Sequence, residues 1–164
     1  MKKIYLSVVC LLISIPLIAQ LYVEPEKEVE CSVFLAKEGR GRAQQGLEIW
    51  DDYIFSCEDG GHVNIYDFKS ADPKPVAGFE LASSHPDNHV NNVCFGVETK
   101  RGASFPLLYI TNGKVGSELE WLCFVESITR RGKRFSSEIV QTIELDGSKW
   151  AEKGYVPIFG APSW

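Results

Sequence analysis

Helical periodicity is missing from this 164-residue chain: beyond residue 30, no segment of helical length repeats its apolar residues every 3.6 positions. Runs of four to eight residues, rich in Val, Ile, Tyr, Phe and Trp, instead alternate with clusters of Gly, Asp, Asn and Ser. Together, the missing period and the short runs predict an all-β chain.

Recognisable catalytic motifs are also missing. Ser56-Cys57 and Ser83-Ser84-His85 supply nucleophilic residue types, but neither forms a nucleophile elbow or a cysteine catalytic signature. Acidic residues are plentiful, yet no spacing isolates the carboxylate pair of a glycosidase. We therefore assign no catalytic residue from the sequence and expect no cofactor.

Positive charge is in short supply. The chain has 17 basic and 22 acidic residues, and loss of Lys2 and Lys3 with a signal peptide would leave 15 basic residues and a formal charge of −7. Basic residues cluster only among glycines, at Arg40 and Arg42 and at Arg130, Arg131, Lys133 and Arg134. We interpret both clusters as solvated turns rather than anion sites, and expect no nucleic-acid partner.

Cysteine is too sparse for a disulfide scaffold. Four cysteines follow the leader: Cys31, Cys57, Cys94 and Cys123. Three of them fall inside apolar runs, which predicts buried free thiols, because cysteine is among the most buried residue types. Oxidation in an exported protein is the alternative.

The N-terminus has the pattern of a secretory signal peptide. Lys2 and Lys3 precede an apolar run that ends at Ala19, which is short for a membrane span. A retained anchor is the alternative; a lipoprotein signal at Cys10 lacks the small residue that should precede it. We expect an exported protein, periplasmic, cell-surface or secreted, with no membrane span after signal removal.

The predicted strands come in two sets of four. The runs are 47–50, 53–57, 62–68 and 75–81, then 93–96, 107–111, 121–128 and 138–145, with 157–160 opening a third set. The sequence Glu58-Asp59-Gly60-Gly61 predicts a tight hairpin turn, because glycine readily adopts a positive φ.

The two sets share an echo at a spacing of 64 residues. Six identities recur: Val76, Glu80, Leu81, Ser84, Phe95 and Gly96 match Val140, Glu144, Leu145, Ser148, Phe159 and Gly160. Self-similarity at a fixed period indicates a repeat architecture. The predicted organisation is a signal peptide (1–19), an extended leader and first β segment (20–42), and two repeat units (about 43–81 and 93–145) followed by the start of a third within 43–164.

The segment from Asp59 to Phe68 resembles the third-strand signature of β-propeller repeats: a glycine turn leads into alternating hydrophobics and an aspartate. The chain is similar to WD-repeat-like and secreted six- or seven-bladed bacterial propeller families. The resemblance implies a partial β-propeller of four-stranded antiparallel blades, and a β-sandwich is the alternative. Because a closed propeller needs at least four blades, we expect a truncated copy of a longer propeller.

The most polar segment, 83–92, would connect the two blades on the propeller face. Its candidate ligand-binding residues are His85, Asp87, Asn88, His89 and Asn91. Imidazole, carboxylate and amide groups could hydrogen-bond a sugar or ligate a metal. However, the four-residue spacing aligns His85 and His89 only on a helix, which Pro86 opposes, so we assign no metal and keep a ligand-free connector as the alternative.

A second acidic group surrounds the first hairpin, at Asp51, Asp52, Glu58 and Asp59, but it lacks the alternating spacing of a calcium loop.

The sequence-based hypothesis is an exported, non-enzymatic binding or scaffolding protein with a protein or carbohydrate partner. The alternative is a fragment of a propeller lyase or hydrolase acting on extracellular polysaccharide, with His85 and His89 as acid-base or metal residues.

Overall fold

The structure, a computed structural model, describes residues 42–72, 74–114, 116–146 and 152–154. All of them belong to one compact unit, Val33–Trp164. The predicted signal peptide, nearly all of the leader, and the predicted strand at 157–160 lie outside the described residues.

The described residues form eight strands and no helix, which confirms the all-β prediction. The strands are β1 (Gln44–Trp50), β2 (Tyr53–Glu58), β3 (His62–Asp67), β4 (Ala77–Glu80), β5 (Asn92–Phe95), β6 (Leu108–Thr111), β7 (Leu122–Arg131) and β8 (Arg134–Glu144). They form two four-stranded antiparallel sheets in sequence order, β1-β2-β3-β4 and β5-β6-β7-β8. Both architectures named from the sequence, partial blades and a sandwich, are compatible with this pair of sheets.

The predicted hairpin between β2 and β3 is present. Gly60 and Gly61 have φ angles of 94° and 99°, and the Gly61 N–H donates to the Glu58 carbonyl at 2.9 Å. A side chain at Gly61 would meet the backbone of Ser84, so the close approach of the following loop also depends on this glycine.

The 64-residue echo reflects equivalent positions in the two sheets. In the first sheet Phe79 of β4 pairs with Val63 of β3, and in the second sheet Ile143 of β8 pairs with Cys123 of β7. The next pairs, His62 with Glu80 and Leu122 with Glu144, continue the match. Glu80 and Glu144, one pair of the echo, therefore occupy the same register on the fourth strand of each sheet. Phe95 lies on β5, and Ser148, Phe159 and Gly160 lie outside the described residues.

Apolar side chains fill the space between the sheets. Phe55 lies at the centre of this core, with its ring centroid 5.0 Å from that of Phe95 and 5.1 Å from that of Phe105, both edge to face. The main core residues are Phe55, Cys57, Val63, Ile65, Phe79, Val93, Phe95, Phe105, Leu108, Ile110, Phe124, Ile128 and Phe135. Full burial of each large apolar side chain contributes about 1.5–3 kcal/mol, so this layer dominates the stability.

The other face of the first sheet is buried along its two central strands, β2 and β3. Successive strand residues point to opposite faces, so Ile54, Ser56, Asn64 and Tyr66 point away from the core between the sheets. These four side chains are nevertheless at most 5% exposed. Glu58 shares this face and accepts a hydrogen bond from Asn64 Nδ2 at 2.8 Å, so the buried polar groups are paired.

The predicted cysteine environments are confirmed in part. Cys57, Cys94 and Cys123 are free thiols. Cys57 and Cys123 are buried, and Cys94 is half-buried. Cys31 lies outside the described residues.

Candidate functional site

The candidate site lies where three connections meet at one end of the strands. They are the β2–β3 hairpin (58–62), the β4–β5 connector (81–91) and the first part of the β6–β7 loop (112–114), which together we call the loop face. The Gly60 N–H donates to the Asn88 carbonyl at 2.7 Å, and the Asn91 N–H donates to Thr111 at 2.9 Å. The connector is therefore tied by its backbone to both sheets.

A buried carboxylate from the second sheet completes the attachment. Glu126 on β7 is 0% exposed, and its two oxygens accept hydrogen bonds from the backbone N–H groups of Ser83 at 2.8 Å and Ala82 at 3.0 Å. Glu126 lies at a register shift in β7, beside Val125. Charge-assisted hydrogen bonds are stronger than neutral ones, so this contact holds the start of the connector firmly.

Asn88, a predicted ligand-binding residue, is buried within the connector. Its Nδ2 donates to the Ser83 carbonyl at 2.9 Å, and its Oδ1 accepts from the Val90 N–H at 3.1 Å. Val90 follows with a φ of 43°, which is unusual for a β-branched residue. In this arrangement the Asn88 amide shapes the loop.

The remaining predicted residues are nearer the surface, and each contacts a neighbouring loop. His89 Nδ1 lies 3.0 Å from Asp59 Oδ1 on the hairpin. Asp87 Oδ1 lies 2.8 Å from Lys114 Nζ, and the hydrogen bond and positive charge of Lys114 lower the pKa of the Asp87 carboxyl. Asn91 is exposed, and its side chain lies against Gly113.

The structure directs His85 and His89 to different surroundings. His89 contacts Asp59, whereas His85 is exposed and its Nδ1 accepts a hydrogen bond from the Asp87 N–H at 3.1 Å. Among the described residues, no group of three or more His, Cys, Asp or Glu side chains has an arrangement that could hold a metal ion. The two histidines therefore do not form one centre with the acidic residues around them.

A cleft of about 210 Å³ opens beside His85. We call it the polar cleft; it is lined by Arg42, Asp59, Gly60, His62, Glu80, Ser84, His85 and Pro86. Of the residues predicted from the sequence to bind a ligand, His85 alone is in this lining. The chain has three histidines in total, and all three lie at the loop face.

The polar cleft has a paired acid and base in its wall. His62 Nδ1 lies 2.9 Å from Glu80 Oε1, because the two residues are opposite each other in the β3–β4 pairing. Ser84 Oγ lies 2.8 Å from the Gly60 carbonyl oxygen and 3.3 Å from Glu80 Oε2. Since a hydroxyl has only one proton to donate, these two acceptors compete for it.

Sequence reasoning missed His62, Glu80 and Ser84, although a signal was available. Glu80 and Ser84 are both members of the 64-residue echo, but the echo by itself predicts only a repeat architecture. His62 and Glu80 are 18 positions apart, so only the register of β3 and β4 brings them together.

Comparisons with known proteins add no relative: the chain matches no family model, and it resembles no curated protein or solved structure to a significant degree. In the part of the chain that the structure describes, no helix is long and apolar enough to cross a membrane.

Proposed function

We propose that this chain is an exported binding protein built from β-propeller-like blades, and that its polar cleft binds a hydroxyl-rich ligand such as a carbohydrate. The observation that carries this proposal is one cleft that brings together His62 and Glu80 from adjacent strands with Ser84 and His85 from the firmly attached connector.

The blade interpretation draws support from the two sheets. Each sheet is a four-stranded antiparallel meander, and Glu80 and Glu144 of the echo occupy equivalent register positions on the fourth strands. In addition, the two central strands of the first sheet bury side chains on both faces, whereas Leu47 and Ile49 of β1 are exposed on the outer face. An isolated two-layer sandwich would leave its outer faces in water, whereas a propeller blade is covered on both sides.

Binding suits the loop face because its groups are already held in place. The connector is bonded to Gly60, Thr111 and Glu126, so little conformational entropy remains to be lost when a ligand binds. The polar cleft offers the Arg42 guanidinium as a donor and the Glu80 carboxylate as an acceptor. Sugar hydroxyls both donate and accept, and this mixed lining complements them.

The experiment is a binding screen of the purified full chain on an array of neutral and acidic polysaccharides. Released oligosaccharide is measured in the same wells. We expect at least one polysaccharide to bind without product release. Release of product would overturn the binding proposal in favour of the polysaccharide-acting enzyme.

Substitutions in the polar cleft test whether the polysaccharide binds there. Glu80→Gln and His85→Ala should weaken binding of the polysaccharide found in the screen by roughly tenfold, because each removes a polar contact in the cleft. Asn91→Ala is the matched control, since Asn91 is exposed on the loop face but does not line the cleft. Equal loss in all three variants, or no binding by the unaltered chain, would contradict the proposal.

A further inference from the structure

The tip of the β7–β8 hairpin carries four cations in five residues. Arg130 and Arg131 end β7, Gly132 turns with a φ of 63°, and Lys133 and Arg134 lead into β8. Within the described residues, none of the four forms an ion pair with a carboxylate. This unneutralised patch stands out in a chain whose formal net charge is −5.

The strand pairing adds an unfavourable contact at the tip. Arg131 and Arg134 are directly opposite each other. Like charges in directly opposed positions destabilise an antiparallel pair. An anion bound between the two side chains would remove this repulsion and would therefore stabilise the hairpin.

Arg130 is held ready for such a ligand. Its guanidinium carbon lies 4.9 Å from the centroid of the Tyr53 ring and 5.8 Å from that of Phe135. Its Nε donates to the Gly132 carbonyl at 2.8 Å, and its backbone N–H donates to Ser104 Oγ at 2.9 Å. A stacked guanidinium is fixed in direction, and its terminal N–H groups match the two oxygens of a carboxylate.

Two clefts flank the Arg130 side chain. One, of about 430 Å³, has Asp51, Tyr53 and Ser104 in its lining. The other, of about 210 Å³, has Asp67, Lys133 and Phe135 in its lining. Both clefts combine a cation, an aromatic ring and a carboxylate. They lie at the opposite end of the strands from the loop face, because β2 begins at Tyr53 and reaches the hairpin at Glu58.

We propose that the hairpin tip, 130–134, is a second binding site, which takes the carboxylate groups of an acidic polysaccharide that contains uronic acid. Arg130 forms a bidentate pair with one sugar carboxylate. The carboxylates of Asp51 and Asp67 accept hydrogen bonds from sugar hydroxyls. Arg131, Lys133 and Arg134 contact further carboxylates along the polymer.

Three observations favour this ligand class over other polyanions. The cations lie on both faces of the hairpin, since Arg130 pairs with Phe135 and Arg131 pairs with Arg134, so a flexible chain reaches them better than a flat surface. Asp51 and Asp67 in the clefts offer acceptors for the hydroxyl groups that a polysaccharide carries along its whole length. A nucleic-acid duplex needs a longer basic stripe than these four residues provide.

The test measures binding of the purified full chain to polygalacturonate and to the same polymer with its carboxylates fully methyl-esterified. Polygalacturonate should bind, and the ester should not. Arg130→Ala should weaken binding at least roughly tenfold, and Arg130→Lys should weaken it several-fold, because lysine keeps the charge without the planar fork. Arg101→Ala removes the same charge from an exposed turn outside both clefts and should change affinity less than about twofold.

Equal binding of the ester, or an equal loss in Arg101→Ala and Arg130→Ala, would overturn the proposal. Tighter binding to phosphatidylglycerol vesicles or to duplex DNA than to polygalacturonate would overturn it as well. Circular dichroism shows whether Arg130→Ala remains folded. If it does not, Arg131→Ala and Arg134→Ala replace it as test variants and should also weaken polygalacturonate binding, since both side chains are exposed and their loss should not disturb the fold. Loss of polygalacturonate binding in His85→Ala together with full binding in Arg130→Ala would assign the site to the loop face instead.

Discussion

Glu126 Oε1 accepts a hydrogen bond from the backbone N–H of Ser83 at 2.8 Å, across a sequence separation of 43 residues. This contact joins the second sheet to the connector that leaves the first sheet. Glu126 is fully buried, so it supports the loop face from inside the protein and is not part of the exposed surface. The rigidity of the polar cleft is thus set from the neighbouring sheet.

Glu126→Gln should lower the free energy of unfolding by about 1–2 kcal/mol, because a neutral amide oxygen bonds the Ser83 N–H more weakly than the carboxylate does. The Ala82 N–H keeps Ser137 Oγ as an acceptor at 2.9 Å. Urea denaturation followed by fluorescence measures the change. Glu118→Gln is the control: Glu118 is exposed, and we expect a change within about 0.5 kcal/mol. Similar stabilities for the two variants would contradict the anchoring role.

Asn88→Ala should cost about 1–3 kcal/mol of stability, because it leaves the Val90 N–H and the Ser83 carbonyl without the Asn88 amide. Thermal unfolding is a sufficient measurement. Asn91→Ala, in the same connector but exposed, should leave the midpoint nearly unchanged. An Asn88→Ala protein as stable as the unaltered chain would show that the amide is free to serve a ligand.

The Asp87–Lys114 pair predicts a pH-dependent contribution to stability. Lys114 lowers the pKa of Asp87 in the folded chain, so the contribution is present above the ordinary carboxyl pKa and is lost as the pH falls through the lowered value. An NMR titration of the Asp87 carboxyl carbon should therefore give a midpoint below about 3.9, the usual aspartate value. In Lys114→Gln the midpoint should rise; a midpoint that does not move would refute the pairing.

Cys57 should resist alkylation under native conditions. Burial raises the pKa of its thiol, and the negative charges of Glu126 and Glu48 raise it further, so the reactive thiolate is scarce. Iodoacetamide labelling followed by peptide mass spectrometry should modify the half-buried Cys94 well before Cys57 or Cys123. All three should react at similar rates in urea, and early labelling of Cys57 in the native protein would contradict the structure.

Export can be tested separately from binding. If residues 1–19 act as a signal peptide, expression of the full chain in a bacterial host with a secretion pathway should yield a mature protein that begins at Gln20. Mass spectrometry of the periplasmic and membrane fractions reads the new terminus. A chain that keeps Met1 and remains in the membrane fraction would favour the retained anchor.

Much of the fold was predictable from the sequence, because strand formation leaves a local signature. The alternation around Val63 and Ile65 and the two glycines at Gly60 and Gly61 identify a strand and its turn without any knowledge of neighbours. The β7–β8 hairpin is longer than predicted, since its polar end at Arg130 to Arg134 carries no apolar alternation. The site was less predictable from the sequence than the fold. The sequence indicated the connector, and of the residues predicted there His85 lines the cleft.

The sequence by itself determined the number, order and approximate bounds of the strands in the described part of the chain, because backbone preference and side-chain alternation act between near neighbours. Only the tertiary structure decided which polar groups meet. His62 faces Glu80 through strand register, Glu126 reaches Ser83 from the other sheet, and the Arg130 guanidinium at the end of β7 lies over the Tyr53 ring. Such contacts depend on strand register and on how the two sheets pack, and no local pattern encodes them.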